Sequence, residues 1–304
     1  MRQRIPVIGY LSAGTAASDG SSLTALRQGL DQAGYVEGRN VEILFRYAEF
    51  QFDRLPSLAA DLVRRGVAVM VATGGAPALA AREATPTIPI VFNTGLDPVA
   101  IGLVPRLNRP GGNLTGASVL YDAYYAKGIE LMHELVPEAD TFSYLMNPTN
   151  PVNHAIEQRE MENSARNLGL RLTTLNASNA AEIDQAFSTL AQERTGGLIV
   201  VGDAFIEAQS DQIIALAARF RVPVIFPLRE YVRAGGLMSY GGSLTEWYRI
   251  VGDYAARILN GEKPGDLPVQ LATRIELAIN LKTAKALGLA IPPSILLRAD
   301  EVIE

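Results

Sequence analysis

The chain has 304 residues, room for two domains at roughly 150 residues each. Its 48% hydrophobic content is enough for large cores and too much for a disordered chain. A net charge of −5 without a basic run argues against nucleic acid as a partner, and the lack of cysteine removes disulfides, thiolate nucleophiles and Cys-based metal sites.

The opening stretch MRQRIPVIGYL runs from a basic tetrapeptide straight into a strand pattern. It reads either as a native cytoplasmic start or as a chain whose leader has been removed. Short β-branched runs then alternate with helical periods, the pattern of a parallel sheet flanked by helices. In chain order the expected strands are Val7–Leu11, Val41–Tyr47, Val67–Ala72, Ile88–Phe92, Thr141–Met146, Arg171–Asn176, Gly197–Val201 and Pro223–Pro227. Helices Leu23–Ala33, Leu55–Arg65 and Ala155–Leu168 each stop at a glycine, which takes the left-handed conformation beyond a helix end without a Cβ clash. A helix at Thr245–Leu259, a strand at Arg274–Asn280 and a last helix to Leu287 form a tail that completes both sheets. No run approaches the roughly 18 apolar residues of a membrane span.

The two halves repeat. The helix Asp53–Gly66 is mirrored by Glu182–Gly197, and IPIVFN (Ile88–Asn93) by VPVIFP (Val222–Pro227), with a joint around Gly116–Tyr121. The expected fold class is α/β: two similar doubly wound parallel-sheet lobes, with a hinge and a ligand cleft between them. Residues 1–118 plus 243–272 would form one lobe, and 119–242 plus 273–304 the other.

In open α/β sheets ligands bind beyond the carboxyl ends of the strands. In the first lobe that places Ser12, Thr73, Gly74, Thr94 and Asp97 at the cleft. The turn Thr73-Gly74-Gly75-Ala76-Pro77 can bring backbone N–H groups and a helix dipole to a carboxylate, or be only a tight strand-to-helix turn. Asp97, before Pro98, reads equally as a helix cap. In the second lobe Asn147 and Asn150 lie in the NPTNP turn. Asp203 follows the strand GLIVVG, where it either receives an ammonium or caps the next helix. Glu230 and its neighbour Arg229 follow the last strand; Arg229 would pair with Glu230 or hold a second ligand carboxylate. Phe205, Phe226, Tyr231 and Tyr240 would wall an apolar pocket or fill the core. Trp247 reads as packing.

The patterns G-x-G-x-x-G, Walker A, G-x-S-x-G, H-E-x-x-H and S-x-x-K with its partners are all missing, and Ser12 has no evident base. The two histidines, His133 and His154, lie in helical patterns without a second metal-type ligand at a recognisable spacing, so no metal is expected.

The sequence resembles the ABC-transporter substrate-binding proteins related to the tryptophan and aromatic amino acid binders, which have a type I periplasmic-binding fold. The stretches that carry the resemblance include LRQGLDQAGYVEGRNVEI, RLPSLAADLVRRGVAVMVATG, IPIVFNTGLDPVAIGLVPRLNRPGGNLTG and the NPTNP turn. It continues through GGLMSYGGSLTEWYRIVGDYAARILNGEKPGDLPVQ and ELAINLKTAKALGLAIPPSILLRADEVIE, and so spans nearly the whole chain. The resemblance implies a periplasmic or otherwise extracytoplasmic monomer, its leader removed. Such a protein closes around a small solute and delivers it to a membrane permease with its ATPase, without catalysis or a cofactor. By analogy, Ser12, Thr73, Gly74 and Thr94 would hold a carboxylate, braced by Asp97. Asn147, Asn150, Asp203 and Glu230 would engage an ammonium or hydroxyl, and Phe205 and Tyr240 the apolar part. The solute would be an amino acid, aromatic or branched. An aromatic or dicarboxylic acid, held by Arg229, is the rival. A ligand-sensing domain and a small-molecule enzyme using cleft carboxylates are the other functions the sequence allows.

Overall fold

The computed structural model describes residues 5–119, 121–193, 195–271 and 275–304, with backbone alone at 121–123. The first elements are β1 (Val7–Ser12), α1 (Gly20–Gln32), β2 (Glu42–Tyr47), α2 (Leu55–Arg64), β3 (Val69–Thr73), α3 (Gly75–Ala84), β4 (Ile90–Thr94) and β5 (Leu114–Ser118). Then come α4 (Tyr121–Leu135), β6 (Thr141–Met146), α5 (Asn153–Asn167), β7 (Arg171–Asn176), α6 (Ala180–Glu193) and β8 (Leu198–Val200). They are followed by α7 (Ala204–Ala208), α8 (Ser210–Phe220), β9 (Val224–Phe226), α9 (Arg229–Arg233) and β10 (Met238–Gly241). The tail adds α10 (Leu244–Leu259), β11 (Gln270–Leu271), β12 (Glu276–Asn280), α11 (Leu281–Leu287), α12 (Pro293–Leu296) and β13 (Glu301–Ile303).

The chain divides into two compact units, Met1–Leu120 with Leu244–Ala272, and Tyr121–Ser243 with Thr273–Glu304. The first has a sheet of order β11-β5-β4-β3-β1-β2, with every described pair parallel. The second has the order β13-β12-β10-β9-β8-β6-β7. It is parallel except where β12 runs against β10, so β12 brings its first residue, Glu276, to the carboxyl end of β10. Within each unit the first five strands follow the same doubly wound 2-1-3-4-5 order, and α2 and α6 occupy equivalent places in the repeat. The reversal lies between β1 and β3 in one sheet and between β6 and β8 in the other.

The local signals explain most boundaries. Gly34, Gly66 and Gly169, just past α1, α2 and α5, have φ of 86°, 65° and 71°. The apolar runs of β3, β4 and β6 are buried on both faces, as parallel strands under helices must be. The first residues of the expected joint Gly116–Tyr121 belong to β5, in register Phe92↔Gly116, and the leading segment of the first unit ends at Leu120. A Cβ on Gly116 would overlap the Phe92 carbonyl, so this glycine marks a close backbone approach inside a sheet. Leu120 in that joint and Arg274 at the head of the expected tail strand lie outside the described residues.

Two further glycines fasten the tail to the first unit. A Cβ on Gly29 of α1 would overlap the Arg249 carbonyl of α10, and one on Gly252 of α10 would overlap the Leu26 carbonyl of α1. The two helices touch backbone to backbone. Around that contact Leu26, Leu30, Val251 and Ala255 are buried with Ile8 and Val69 of the sheet.

Candidate functional site

At each strand-order reversal, adjacent strands send their following loops to opposite faces, which leaves a crevice at the carboxyl edge. In the first unit Ser12 ends β1 and is in register with Thr73 at the end of β3, and Thr73 with Asn93 near the end of β4. The Ser12 hydroxyl accepts the Gly14 N–H at 2.9 Å, which turns the loop sharply toward α1. Behind it lies Asp19, whose carboxylate receives the Tyr10 hydroxyl at 2.9 Å and the Ser18 hydroxyl at 3.1 Å. Burial pushes the Asp19 carboxyl up, while hydrogen bonds from Ser12, Tyr10 and Ser18 pull it back.

Gly74 follows β3 with φ of 103°, a conformation that an L side chain rarely adopts. Its N–H donates to the Asn93 carbonyl at 2.9 Å and to Asn93 Oδ1 at 3.1 Å. Gly74 starts α3 without a side-chain cap. Among the described residues the N–H groups of Gly75 and Ala76 have no acceptor, and Pro77 has no N–H to offer. A ten-residue helix thus presents an uncapped, positively polarised end at this edge. Thr94, also buried, accepts the Leu96 N–H at 3.1 Å, and Asp97 accepts the Val99 N–H at 2.8 Å. Both brace the loop after β4; Asp97 caps a turn there, not a helix.

The equivalent edge of the second unit is built differently. Asp203 follows β8 and is 4% exposed. It caps α7, Oδ1 accepting the N–H groups of Phe205 at 2.9 Å and Ile206 at 3.3 Å. Across the reversal, Asn147 after β6 donates Nδ2 to the same oxygen at 3.1 Å, and Asn150 donates Nδ2 to Oδ2 at 2.9 Å. The amide oxygens of both asparagines face backbone: Asn147 Oδ1 takes the Thr149 N–H, and Asn150 Oδ1 those of Val152 and Asn153. This fixes which end of each amide points at Asp203. Burial pushes the Asp203 carboxyl up, opposed by the hydrogen bonds of Asn150 and Asn147.

Sequence reasoning missed the next layer. Glu157, buried on α5, accepts the Tyr125 hydroxyl at 3.0 Å and Asn153 Nδ2 at 3.1 Å, and Gly202 donates its N–H to that same hydroxyl at 3.3 Å. The available signal was a carboxylate on the stripe Glu157, Met161, Ala165, the buried face of α5. Tyr240, at the end of β10, meets Tyr124 edge to face with centroids 6.2 Å apart. Burial and the Tyr240 phenol push the Tyr124 hydroxyl up to about 12. The two tyrosines, with Ile199, Val200, Ile225 and Phe226, line a small apolar recess in this unit. Phe205 is buried in α7, and Phe226 packs against Tyr231 at 5.3 Å.

Glu230 does not join the Asn147–Asn150–Asp203 cluster, and its Oε2 is buried without a hydrogen-bond partner. The pairing allowed between Arg229 and Glu230 is corrected: Arg229 pairs with Glu276 of β12. The antiparallel register of β12, which no local pattern announces, delivers that carboxylate.

The sequence matches the family model described as ABC transporter substrate binding protein across residues 17–303. A protein of Clostridioides difficile named tyrosine-binding protein is 30% identical over 260 residues, 86% of this chain and 74% of the relative. A conserved domain protein from Vibrio cholerae has a TM-score of 0.88 at 29% identity, covering 98% of this chain and 100% of its own. An ABC domain from Streptococcus pneumoniae in complex with L-Trp has a TM-score of 0.86 at 25% identity, covering 98% and 99%. The fold alone, of the type I periplasmic-binding class, is shared with a periplasmic binding protein/LacI transcriptional regulator from Alkaliphilus metalliredigens. That chain is 10% identical, with a TM-score of 0.60 over 89% of this chain and 96% of its own.

Proposed function

Because the chain belongs to the family of ABC transporter substrate-binding proteins, we propose that it is the extracytoplasmic receptor of an importer for an amino acid with an aromatic side chain. The observation that carries the chemical class is Asp203, a buried carboxylate at the strand reversal of the second unit. Its Oδ1 is saturated by three donors, whereas Oδ2 accepts one and retains capacity for another. Its donors are uncharged amides, so a ligand ammonium adds the positive charge the cluster lacks. The uncapped end of α3 in the first unit suits a carboxylate. Tyr240 and Tyr124 offer apolar rings beside the same edge as Asp203. The tyrosine-binding relative and the L-Trp-bound neighbour support the aromatic side chain.

In this role the protein works as a periplasmic monomer. It hands its solute unchanged to a membrane permease driven by an ATPase. The test is calorimetric titration and thermal unfolding of ligand-stripped protein with L-tyrosine, L-tryptophan, L-phenylalanine and benzoate, recovering the compound by mass spectrometry. A solute at 100 times its Kd stabilises the fold by about 2.7 kcal/mol. A shift with benzoate and none with any amino acid would overturn the ammonium role of Asp203, and a chemically altered compound would overturn the receptor role.

A further inference from the structure

Arg229 is the first residue of α9, directly beyond the carboxyl end of β9. Glu276, the first residue of β12, is in register with Gly241 at the carboxyl end of β10. The two therefore meet at the same edge of the second sheet as Asn147 and Asp203. A guanidinium nitrogen of Arg229 donates to Glu276 Oε2; the side chains are 25% and 6% exposed. Arg229 Nε is buried and has no acceptor. One turn along, Arg233 is engaged by both carboxylate oxygens of Glu301 at 2.8 Å. Arg229 thus brings a guanidinium to this edge of the second sheet.

A buried ion pair is weak evidence for stability, because desolvation offsets the attraction; its better-attested value is specificity. Here the effect on a solute is direct. With Glu276 in place, a second ligand carboxylate must displace an anion already seated on the guanidinium and then lie beside it. Like charges so placed repel and weaken binding. A solute with an uncharged side chain meets no such obstacle. We propose that the Arg229–Glu276 pair is the selectivity element of this edge, admitting amino acids with uncharged side chains and rejecting those with a second carboxylate. The proposal rests on the amino-acid-binding role given above.

The experiment compares L-tyrosine and L-glutamate by calorimetric titration on ligand-stripped wild type, Glu276→Gln and the double variant Arg229→Gln/Glu276→Gln. Wild type is expected to prefer tyrosine. Glu276→Gln, which leaves the guanidinium without its anion, should move the affinity ratio toward glutamate by about tenfold or more. The double variant should return the ratio to the wild-type side. If Glu276→Gln does not fold, as judged by circular dichroism, Arg229→Met carries the test, since removing the cation must not improve glutamate binding. Tyrosine binding by Glu276→Gln with an unchanged ratio overturns the proposal. So does a wild type that takes glutamate as tightly as tyrosine. A wild type that binds neither amino acid overturns the underlying receptor role instead.

Discussion

Asn147 and Asp203 are joined side chain to side chain, Nδ2 donating to Oδ1 at 3.1 Å, across the point where the strand order of the second sheet reverses. The bond spans the strand-order reversal and holds a buried carboxyl group there. The first unit has Ser12 in register with Thr73 at the matching place, followed by the uncapped α3. One architecture thus carries different polar groups in its two copies, an uncapped helix end in one and a buried carboxyl group in the other.

Asp203→Asn tests that carboxyl group. Asparagine keeps the α7 cap but sets an amide donor against Asn150 Nδ2, the partner of Oδ2. The expected costs are about 1–3 kcal/mol in stability and a fall in amino-acid affinity of about tenfold or more, the latter equal to 1.4 kcal/mol per decade. Denaturant titration and calorimetry read the two separately, and unchanged affinity would remove Asp203 from the solute's contacts.

The same carboxyl and Asp61 make opposite contributions to pH dependence. Burial raises Asp203 in the folded chain, so the folded state holds its proton more tightly than the unfolded one. Stability from this group is present below the unfolded value, about 3.9, and is lost as pH rises through the folded value. Asp61 is lowered to about 2, first by hydrogen bonds from Arg46 and then from Arg65. Its contribution is present above the unfolded value and disappears as pH falls toward about 2. Denaturant midpoints across an acid series should lose the first slope in Asp203→Asn and the second in Asp61→Asn.

Gly74→Ala should separate strain from space. The added Cβ meets only Pro77 Cδ at an ordinary 3.6 Å, so the cost is the φ of 103°. Roughly 1–3 kcal/mol of backbone strain is expected. Relaxation of that strain would turn the first N–H groups of α3 and weaken carboxylate binding. A variant that melts lower yet binds normally would show that the α3 terminus is not used.

Gly29→Ala and Gly252→Ala address the tail. Each inserts a methyl against a backbone carbonyl of the partner helix, which cannot yield by a rotamer change. Overpacking of this kind costs about 1–3 kcal/mol, and each kcal/mol lowers the melting temperature by about 2–4 °C in a chain of 150–250 residues, somewhat less in a longer one. Scanning calorimetry reads both. Wild-type melting temperatures in the two variants would mean that α1 and α10 separate without penalty.

Local chemistry determined a great deal. Alternating β-branched runs and helical periods placed β1 to β4 and β6 to β9. Glycines at 34, 66 and 169 marked helix ends, and the mirrored helix and strand pairs revealed the repeat. These features depend on near neighbours in the chain, so the sequence displays them directly. The carboxyl-edge rule likewise brought Ser12, Thr73 and Gly74, and Asn147 and Asp203, to two edges. What only the tertiary structure decided is which group each polar side chain meets. Gly116 lies against the Phe92 carbonyl, an approach that only the pairing of β4 with β5 produces. Asp203 caps α7 as a local reading allows, but its other partners, Asn147 and Asn150, arrive from the segment after β6. Arg229 has Glu230 beside it in sequence, yet its partner is Glu276, brought from the tail by an antiparallel strand. Register between distant strands sets those pairings, and register is a property of packing that no local pattern encodes.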